Sequence, residues 1–557
     1  MSTIVRYNEK DIRAANPLFS QIRTTIESAF YGNNMLAVND VATAYKLAKI
    51  APETTVTDLP ISHAAELGLP ADAVMLVNNH GRVIGRTAAA RRRIGDPDVD
   101  DVKMAGLLRD AIFAGTQQQF YKTQVVVGLD EDFMIGAHLA VPKGYENNLL
   151  SYLLNFQPLN QAYQTRYRQS KPYPEGDIFI YADPSFHHPE FPDGLALFDA
   201  KHNVAAILGM RYFGELKKAT LSLAWATAHR HGYVACHGGE KAFHFANRPD
   251  QVFAMFGLSG SGKSTLTHAK HGGRFKTTVL HDDAFIISRT DGSSVALEPA
   301  YFDKTNDYPS GTEETKYFMT LMNVGVTLNQ TGKKVLVTED LRNGNGRTVK
   351  SRYASANRVD KEAAPIDAIF WIMKDDSLPP VIQITDPTLA ATFGATLATK
   401  RSSAENLVGT VDRNALVIEP FADPFRAYPL AEDYADFKGL FAERQVACYI
   451  LNTGFYNGKK ISKEVTLSIL EAIVEQKITW QAFGSLAHLN YAPLAEFPVD
   501  FSDPTYQTLL TTRLQIRLDW ITHYEKTHPQ APLPAEISQS LTNKRTIILY
   551  LELKKNC

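Results

Sequence analysis

The chain has few cysteines, no long apolar run and almost no net charge. Cysteine occurs only at positions 236, 448 and 557 of 557 residues, and no two of them form a Cys-x-x-Cys pair. Such a sparse, odd set provides no disulfide framework and favours a reducing compartment. Residues 366–373 (IDAIFWIM) are among the longest apolar runs and are far shorter than the roughly 20 residues that span a bilayer. Residues 1–17 carry charges where a signal peptide needs an apolar segment, so we expect a cytoplasmic protein.

The charge balance also limits the class of partner. Lysine and arginine number 58 against 60 acidic residues, a net charge of −2, so nothing attracts the whole chain to nucleic acid or to a membrane surface. Any anion site must therefore be local, and we expect small molecules as partners, with the chain a monomer or a small homo-oligomer. A hydrophobic fraction of 44% gives a globular protein ample core, and the length favours more than one domain.

Short β-rich runs alternate with helical stretches, which predicts a mixed α/β fold. The predicted strands are residues 177–184, 252–256, 333–340, 367–374 and 447–454. Helices are predicted at residues 214–232 and 462–477, the second with Ser462 as its N-cap. Residues 546–555 (TIILYLELKK) have β-like composition and predict an edge strand or a contact surface.

Residues 257–264 (GLSGSGKS) fit the phosphate-loop pattern G-x-x-x-x-G-K-[ST]. They follow a predicted strand and precede a segment that can start a helix, which is the context that a chance glycine-rich turn would lack. Glycines let backbone N–H groups turn towards phosphate oxygens. Lys263 would supply a charge to the β- and γ-phosphates, and Ser264 a hydroxyl for Mg²⁺.

Asp282 and Asp283 follow another short β-rich run, only 19 and 20 residues after Lys263. Carboxylates at the end of a strand beside a phosphate loop are natural ligands for a divalent ion. A solvated turn would explain the pair equally well if it stood alone. The short spacing suggests a special class of phosphate-loop protein.

Other motifs appear in an order that resembles the ATP-dependent phosphoenolpyruvate carboxykinase family. Upstream of the loop stand GRTAAAR and RYFGELKKA, and His237 in ACHGGE follows Lys218 by 19 residues. Downstream stand SRYAS, SLPPV, ITDP and ILNTGFYNGKKISKEVT. The resemblance covers roughly residues 80–480 and is weak or absent at both ends.

The resemblance implies a two-domain mixed α/β fold with the active site in the cleft between domains. Residues 1–235 would form the N-terminal substrate-binding domain, and residues 236–557 the C-terminal domain that binds nucleotide and metal through the phosphate loop. The implied reaction is the reversible decarboxylation and phosphorylation of oxaloacetate by ATP, which gives phosphoenolpyruvate, CO₂ and ADP.

The resemblance also implies two metal ions beside the nucleotide. Lys218, His237 and Asp283 would ligate Mn²⁺, with the lysine as a neutral amine and the histidine as a neutral imidazole. Ser264 would contact Mg²⁺. Without the family context, a lysine on a helix and a lone histidine are more often solvated or structural residues than ligands.

The remaining implied site residues bind substrate or nucleotide. Arg86 would hold the substrate carboxylate, Tyr212 would line its pocket, and Arg352 would balance charge on the transferring phosphoryl group. Lys217 would add charge near the phosphates, and Lys218 and Lys263 would act in catalysis as well. The implied nucleotide-binding residues are Leu258, Ser259, Gly260, Ser261, Gly262, Lys263, Ser264, Thr265, Lys460 and Thr466.

The chain departs from the family pattern at several points, so it is expected to be a divergent member. Residues 87–91 (TAAAR) replace the family's Ser-Pro-Lys-Asp-Lys, and Ala284 and Phe285 replace Glu-His. An insertion around residues 271–273 separates the loop from the aspartates, and Lys460 replaces an arginine. Two alternatives stay open: a phosphate-loop kinase for another small acceptor, and a non-catalytic nucleotide-binding homologue.

Overall fold

The structure is a computed structural model that describes residues 1, 6–79, 90–258, 260–339, 346–400 and 416–555. The described chain divides into two compact units. Unit 1 comprises Met1–His231 and Val295–Asp360, and unit 2 comprises Gly232–Ser294 and the described residues from 361 onwards. The chain first passes from unit 1 to unit 2 four residues before the predicted boundary, and residues 295–360 return to unit 1.

The helices divide evenly between the two units. Those of unit 1 are α1 (Gln21–Ala29), α2 (Val41–Ile50), α3 (Asp101–Gly115), α4 (Glu146–Asn155), α5 (Gln161–Gln169) and α6 (Phe213–Arg230). Those of unit 2 are α7 (Lys263–His268), α8 (Pro387–Ala395), α9 (Leu430–Glu443), α10 (Lys463–Val474), α11 (Pro504–Thr527) and α12 (Ala535–Lys555). Among the described residues, no helix is long and apolar enough to cross a membrane.

The strands follow the same division. Those of unit 1 are β1 (Met35–Ala37), β2 (Thr54–Pro60), β3 (Val74–Asn78), β4 (Arg91–Arg93), β5 (Phe120–Asp130), β6 (Phe133–Pro142), β7 (Gln157–Pro158), β8 (Ile178–Asp183), β9 (Leu195–Asp199), β10 (Val204–Leu208), β17 (Tyr301–Lys304), β18 (Phe318–Met322), β19 (Gly325–Leu328), β20 (Lys334–Val337) and β21 (Arg347–Lys350). Those of unit 2 are β11 (Tyr233–His237), β12 (Gly239–His244), β13 (Gln251–Phe256), β14 (Lys276–His281), β15 (Ala284–Ser288), β22 (Lys361–Glu362), β23 (Ala368–Met373), β24 (Val381–Ile384), β25 (Ala398–Lys400), β26 (Leu416–Ile418), β27 (Ala447–Asn452), β28 (Phe455–Tyr456), β29 (Lys459–Lys460), β30 (Gln481–Ala482) and β31 (Leu489–Tyr491). The short strand β16 (Ser294–Ala296) includes the point where the chain leaves unit 2.

Unit 1 is built on two sheets. The larger has the strand order β1-β5-β6-β8-β10-β9-β4, with β7 added to β5, and the smaller has the order β17-β21-β18-β3-β2. Strands β8 and β10 are buried at every position, as expected of strands covered on both faces. Helices α1 and α3 pack on this sheet through residues such as Ile26 and Leu108, while α4 contacts both sheets. The smaller sheet positions β21, which carries Arg347 at its start.

Unit 2 is built on a sheet of order β14-β12-β13-β23-β27-β24-β31-β30. Its central strands β13, β23 and β27 run parallel to one another. Parallel neighbours end at the same edge of a sheet, so the loop after β13 and the segments after β23 and β27 lie close together. Helix α7, immediately after that loop, packs Leu266 into the same apolar cluster as Phe370 and Leu451.

Most sequence-based predictions of elements are confirmed. The five predicted strands contain β8, β20, β23 and β27 and all but the first residue of β13. The two predicted helices contain most of α6 and all of α10. Ser462 caps α10, accepting a hydrogen bond from the Val465 N–H.

The prediction of a strand at residues 546–555 is wrong, because the segment continues α12 from Ala535. The buried positions Ile537, Leu541, Lys544 and Ile548 recur at intervals of four, three and four residues. That spacing is the stripe of a helix and overrides the β-like composition.

Candidate active site

The loop between β13 and α7 turns at two glycines with left-handed backbone conformation. Gly260 has φ +80° and Gly262 has φ +102°. A Cβ at Gly257 would lie 2.4 Å from the Ser261 Oγ and 2.9 Å from Ile372 Cβ, so the loop can approach β23 only with glycine there. These backbone angles explain the glycine spacing that marked the loop in the sequence.

Side chains from the neighbouring strand ends hold the carbonyl groups of the loop. The Lys374 Nζ, just after β23, donates to the Gly260 carbonyl at 2.9 Å, and the Thr453 Oγ1, just after β27, donates to the Ser261 carbonyl at 2.8 Å. Burial lowers the pKa of Lys374, and the charge of Lys460 lowers it further. These two bonds hold the loop carbonyls on the protein side, and the Ser261 N–H donates to the Leu258 carbonyl within the loop.

His237, at the end of β11, lies beside Asp283, at the start of β15. Its Nε2 is 3.0 Å from the Asp283 Oδ1. The two strands pair antiparallel with His237 opposite Ala284, and the Gly238 N–H donates to the Asp283 carbonyl. The Lys263 Nζ is 3.9 Å from the same carboxylate oxygen. The structure therefore brings together three predicted site residues, two of them predicted metal ligands.

A backbone carbonyl fixes the orientation of the His237 ring. Its Nδ1 is 2.6 Å from the Ala422 carbonyl oxygen, which can only accept, so Nδ1 carries a hydrogen. In the neutral ring Nε2 then presents a lone pair to the Asp283 carboxylate, a repulsive contact unless a cation or a proton lies between them. A histidine held in this way, with its other nitrogen bonded to a carbonyl, is the arrangement seen at metal ligands.

Asp282 has a different partner from Asp283. The His268 Nε2, on α7, is 3.2 Å from the Asp282 Oδ2. Burial by itself would raise the pKa of Asp282, but the hydrogen bond and charge of His268 outweigh it and hold the pKa well below its usual range. Asp282 is therefore ionised at neutral pH and ties α7 to the end of β14.

The predicted substrate residue Tyr212 lies at the start of α6 in unit 1. Its ring covers Gly214, where a Cβ would lie 2.4 Å from the ring atoms, so the motif needs glycine at this position. Burial raises the pKa of the Tyr212 phenol, and the positive charge of Arg347, beside it on β21, opposes that rise. The sequence analysis did not single out Arg347 and named instead Arg352, five positions later.

The paired lysines of α6 have different surroundings. The Lys217 Nζ is fully buried and lies 2.9 Å from the fully buried Glu298 Oε1. Its charge is thus balanced inside unit 1, and a role for it near phosphates stays a prediction that this burial disfavours. Lys218 is half-buried, with its Nζ 5.7 Å from the centre of the Trp225 ring.

Glu215, in the same motif, was also not predicted as a site residue from the sequence. Its side chain is buried, and burial raises its pKa to about 8, opposed by the charge of Arg91. A carboxyl group that is neutral at pH 7 can donate a hydrogen bond, and perturbed groups of this kind are common at functional sites. The signal in the sequence was the position of Glu215 between Tyr212 and Lys217, within the motif RYFGELKKA that carries the family resemblance.

Arg352 is engaged within unit 1. Its NH2 donates to the Asp360 Oδ1 at 2.8 Å, and its NH1 lies 3.4 Å from the Tyr163 hydroxyl. The prediction that it balances charge on the transferring phosphoryl group is untested.

The remaining predicted residues vary in exposure. Ser264, Thr265 and Lys460 are exposed, Leu258 and Ser261 are buried, and the buried Thr466 donates its hydroxyl to the Ser462 carbonyl. Arg86 and Ser259 lie outside the described residues, as does most of the altered loop at residues 85–91. Among the residues that are described, no three His, Cys, Asp or Glu side chains gather as a metal site of their own.

Comparison with known proteins identifies the family to which this chain belongs. A model of the phosphoenolpyruvate carboxykinase family, in its ATP-dependent form, matches residues 96–498. The chain therefore belongs to the ATP-dependent phosphoenolpyruvate carboxykinase family, as a divergent member.

Individual relatives carry the same description. The phosphoenolpyruvate carboxykinase (ATP) of Aeropyrum pernix is 26% identical over 419 residues, which is 72% of this chain and 79% of that protein. The phosphoenolpyruvate carboxykinase (ATP) of Staphylococcus aureus (strain Newman) is 25% identical over 336 residues, 54% of this chain and 56% of that protein. The match to the staphylococcal protein thus spans little more than half of its length.

Proposed function

We propose that the chain catalyses the reversible conversion of oxaloacetate and ATP to phosphoenolpyruvate, CO₂ and ADP. The observation that carries this proposal is the His237–Asp283 pair beside Lys263, at the end of a glycine-turned loop, in a chain of the carboxykinase family. A kinase for another acceptor would need the loop and Lys263 but would have no use for this histidine. No observation favours that alternative or a non-catalytic homologue.

In this proposal unit 2 holds the nucleotide. Loop residues 258–262 bind the phosphates through backbone N–H groups, Lys263 adds a positive charge, and the exposed hydroxyl of Ser264 is available to Mg²⁺. Lys460, Thr265 and Thr466 remain candidates for further nucleotide contacts. The bonds from Lys374 and Thr453 to the Gly260 and Ser261 carbonyls restrain the loop, which favours a preorganised anion site.

The donor set of the histidine–aspartate pair fits a divalent ion such as Mn²⁺. The His237 Nε2 and the Asp283 Oδ1 lie 3.0 Å apart, so the imidazole nitrogen and the carboxylate oxygen would both be available to one divalent ion, and both are donor types that Mn²⁺ accepts. When bound, such an ion supplies Lewis-acid stabilisation of the negative charge that decarboxylation leaves on the substrate. Lys218, as a neutral amine, stays a further candidate ligand that the family resemblance implies.

Unit 1 would bind the organic substrate. Tyr212 would line the substrate pocket, Arg347 would pair with a substrate carboxylate or the phosphoryl group, and Arg86 would hold the second carboxylate. We favour Arg347 over Arg352 for this role because Arg347 lies beside Tyr212, whereas Arg352 is paired with Asp360. We also propose a cytoplasmic enzyme that acts on small molecules, as a monomer or small homo-oligomer.

The test is ADP- and Mn²⁺-dependent fixation of bicarbonate onto phosphoenolpyruvate by the purified full chain. His237→Ala and Lys263→Ala should each lower kcat about 100-fold or more. His244→Ala is the matched control, because His244 also lies on a strand of unit 2 and pairs with a carboxylate, that of Asp250 at 2.7 Å. Folded protein without activity on ADP, GDP or pyrophosphate would refute the proposal.

Metal binding needs a readout that does not depend on activity. Mn²⁺ relaxation of water protons should report a bound ion in the intact chain, and Asp283→Asn should weaken that binding about tenfold or more. Equal Mn²⁺ affinity in both proteins would exclude the pair as ligands, even if the enzyme proved active.

A further inference from the structure

Unit 1 contains a cavity of about 580 Å³ that the proposed reaction does not use. Its lining includes the end of α4, the loop after β7, and residues 351–353, which follow β21. Neither Tyr212 nor Arg347 lines it. Its volume falls in the range of sites for small organic ligands, about 300–1,000 Å³.

One wall of the cavity carries hydrogen-bond donors without protein partners. Ser351 is fully buried, and its Oγ has no hydrogen-bond partner among the described residues. A buried hydroxyl without a partner lowers stability, and a ligand or ordered water that accepts its hydrogen bond can recover the loss. Arg352, the next residue, has five N–H groups, of which its bonds to Asp360 and Tyr163 engage two in the described chain.

Positive charge exceeds negative charge behind this wall. The guanidinium groups of Arg166, Arg352 and Arg358 all lie within 3.6 Å of the single carboxylate of Asp360. Three positive charges against one negative charge leave an excess of two. An anion at Ser351 would therefore be attracted by a cluster that is already assembled and partly desolvated.

The other walls are apolar or weakly acidic. Leu154, Phe156 and Met319 line the interior, and the ring of Tyr353 is held by stacking on His63 at 4.2 Å. Exposed carboxylates of Asp40 and Glu66 lie elsewhere in the lining. They disfavour a second negative charge on the ligand, so the cavity does not suit a dicarboxylate or a nucleotide.

We propose that this cavity binds an organic monocarboxylate with an apolar body, such as an aryl or branched-alkyl acid. The carboxylate accepts hydrogen bonds from the Ser351 hydroxyl and from unengaged N–H groups of Arg352. The apolar body packs against Leu154, Phe156 and Met319. The site belongs wholly to unit 1, and its existence does not depend on the carboxykinase reaction.

Calorimetry and thermal unfolding of the full chain with 3-phenylpropionate test the proposal. We expect saturable binding and a rise in the unfolding temperature, with no binding of 3-phenylpropylamine, which has the same body and the opposite charge. Ser351→Ala should weaken binding about tenfold, and Leu154→Trp should abolish it by filling the cavity. Ser170→Ala, at another buried serine of unit 1 outside the lining, is the matched control and should leave binding unchanged.

Three results would overturn the proposal. The first is no binding of 3-phenylpropionate by folded protein at millimolar concentration. The second is binding that Ser351→Ala and Leu154→Trp leave unchanged. The third is competition by phosphoenolpyruvate or inorganic phosphate, which would assign the probe to the substrate site or to a general anion site. Loss of carboxykinase activity alone has no bearing on it.

Discussion

Replacing Glu240 by glutamine should stabilise the protein at neutral and alkaline pH, because the folded chain holds this carboxyl group in its neutral form. Glu240 lies on β12 of unit 2 and is fully buried. Burial raises its pKa from 4.5 to about 8, and the charge of Glu362 adds to the rise. The unfolded chain loses the proton near pH 4.5, so between these values the folded state binds more protons than the unfolded state.

The sign and size of the effect follow from this difference. The folded state is favoured in full below pH 4.5, and its free energy of unfolding falls as the pH rises towards 8. Each pH unit costs about 1.4 kcal/mol, so at pH 7 the carboxyl group destabilises the fold by about 3 kcal/mol relative to pH 4.5. Glutamine has nearly the same shape and no charge to lose, so its contribution is independent of pH.

The assay is denaturant unfolding of both proteins at pH 5 and pH 8, followed by a probe of unit 2. From pH 5 to pH 8, the free energy of unfolding of Glu240→Gln minus that of the parent chain should increase by about 3 kcal/mol. Any fixed cost of burying the amide cancels in that comparison. Glu443→Gln, at an exposed position of the same unit, should show no such change. A difference that stays constant or shrinks at pH 8 would refute the reasoning.

Three further predictions rest on individual contacts. Arg347→Met should lower kcat about 100-fold in steady-state kinetics, and Arg352→Met should lower it far less. A larger loss of kcat in Arg352→Met would indicate Arg352 as the catalytic arginine. Lys374→Met should raise the KM for ATP several-fold in the same assay, because the Gly260 carbonyl loses its donor, whereas an unchanged KM would mean the loop needs no such support. Arg517→Met should destabilise the chain by about 3 kcal/mol in denaturant unfolding, since the buried Asp375 loses the arginine that lies 3.0 Å away and keeps the more distant Arg513 at 3.7 Å. Adding Asp375→Asn should recover part of the loss, and full additivity would argue against the pair.

The glycine turns of the loop and the closeness of His237 to Asp283 agree with the sequence analysis, the first because the loop is a local pattern and the second because the family resemblance placed both residues at one site. Their roles as ligands stay predictions. The glycine positions follow from backbone angles, and the strand before the loop is a plain apolar run. The alternation of β-rich and helical segments was sufficient to predict the mixed α/β class. Membership of the family was indicated by the order of several motifs along the chain and not by any single motif.

Features that depend on tertiary contacts could not be predicted. Arg347 and Arg352 look equivalent in sequence, and only the neighbouring Tyr212 and Asp360 distinguish them. The return of residues 295–360 to unit 1 follows from strand pairing between distant segments, such as β18 with β3. The Ser351 hydroxyl, which has no hydrogen-bond partner in the described part of the chain, has no sequence signature, since a buried serine usually finds a partner.

The histidine of the candidate metal site depends on a segment that the sequence did not single out. Phe421 and Ala422 have φ values of +53° and +56°, a left-handed conformation that costs about 1–2 kcal/mol per residue without glycine. The Phe421 ring offsets part of this cost by stacking on Phe437 at 4.5 Å and packing against Trp371. The strained backbone places the Ala422 carbonyl oxygen 2.6 Å from the His237 Nδ1. This contact turns the Nε2 of the ring towards Asp283. Strain retained at the point that orients His237 argues that this orientation contributes to function and is not a by-product of packing.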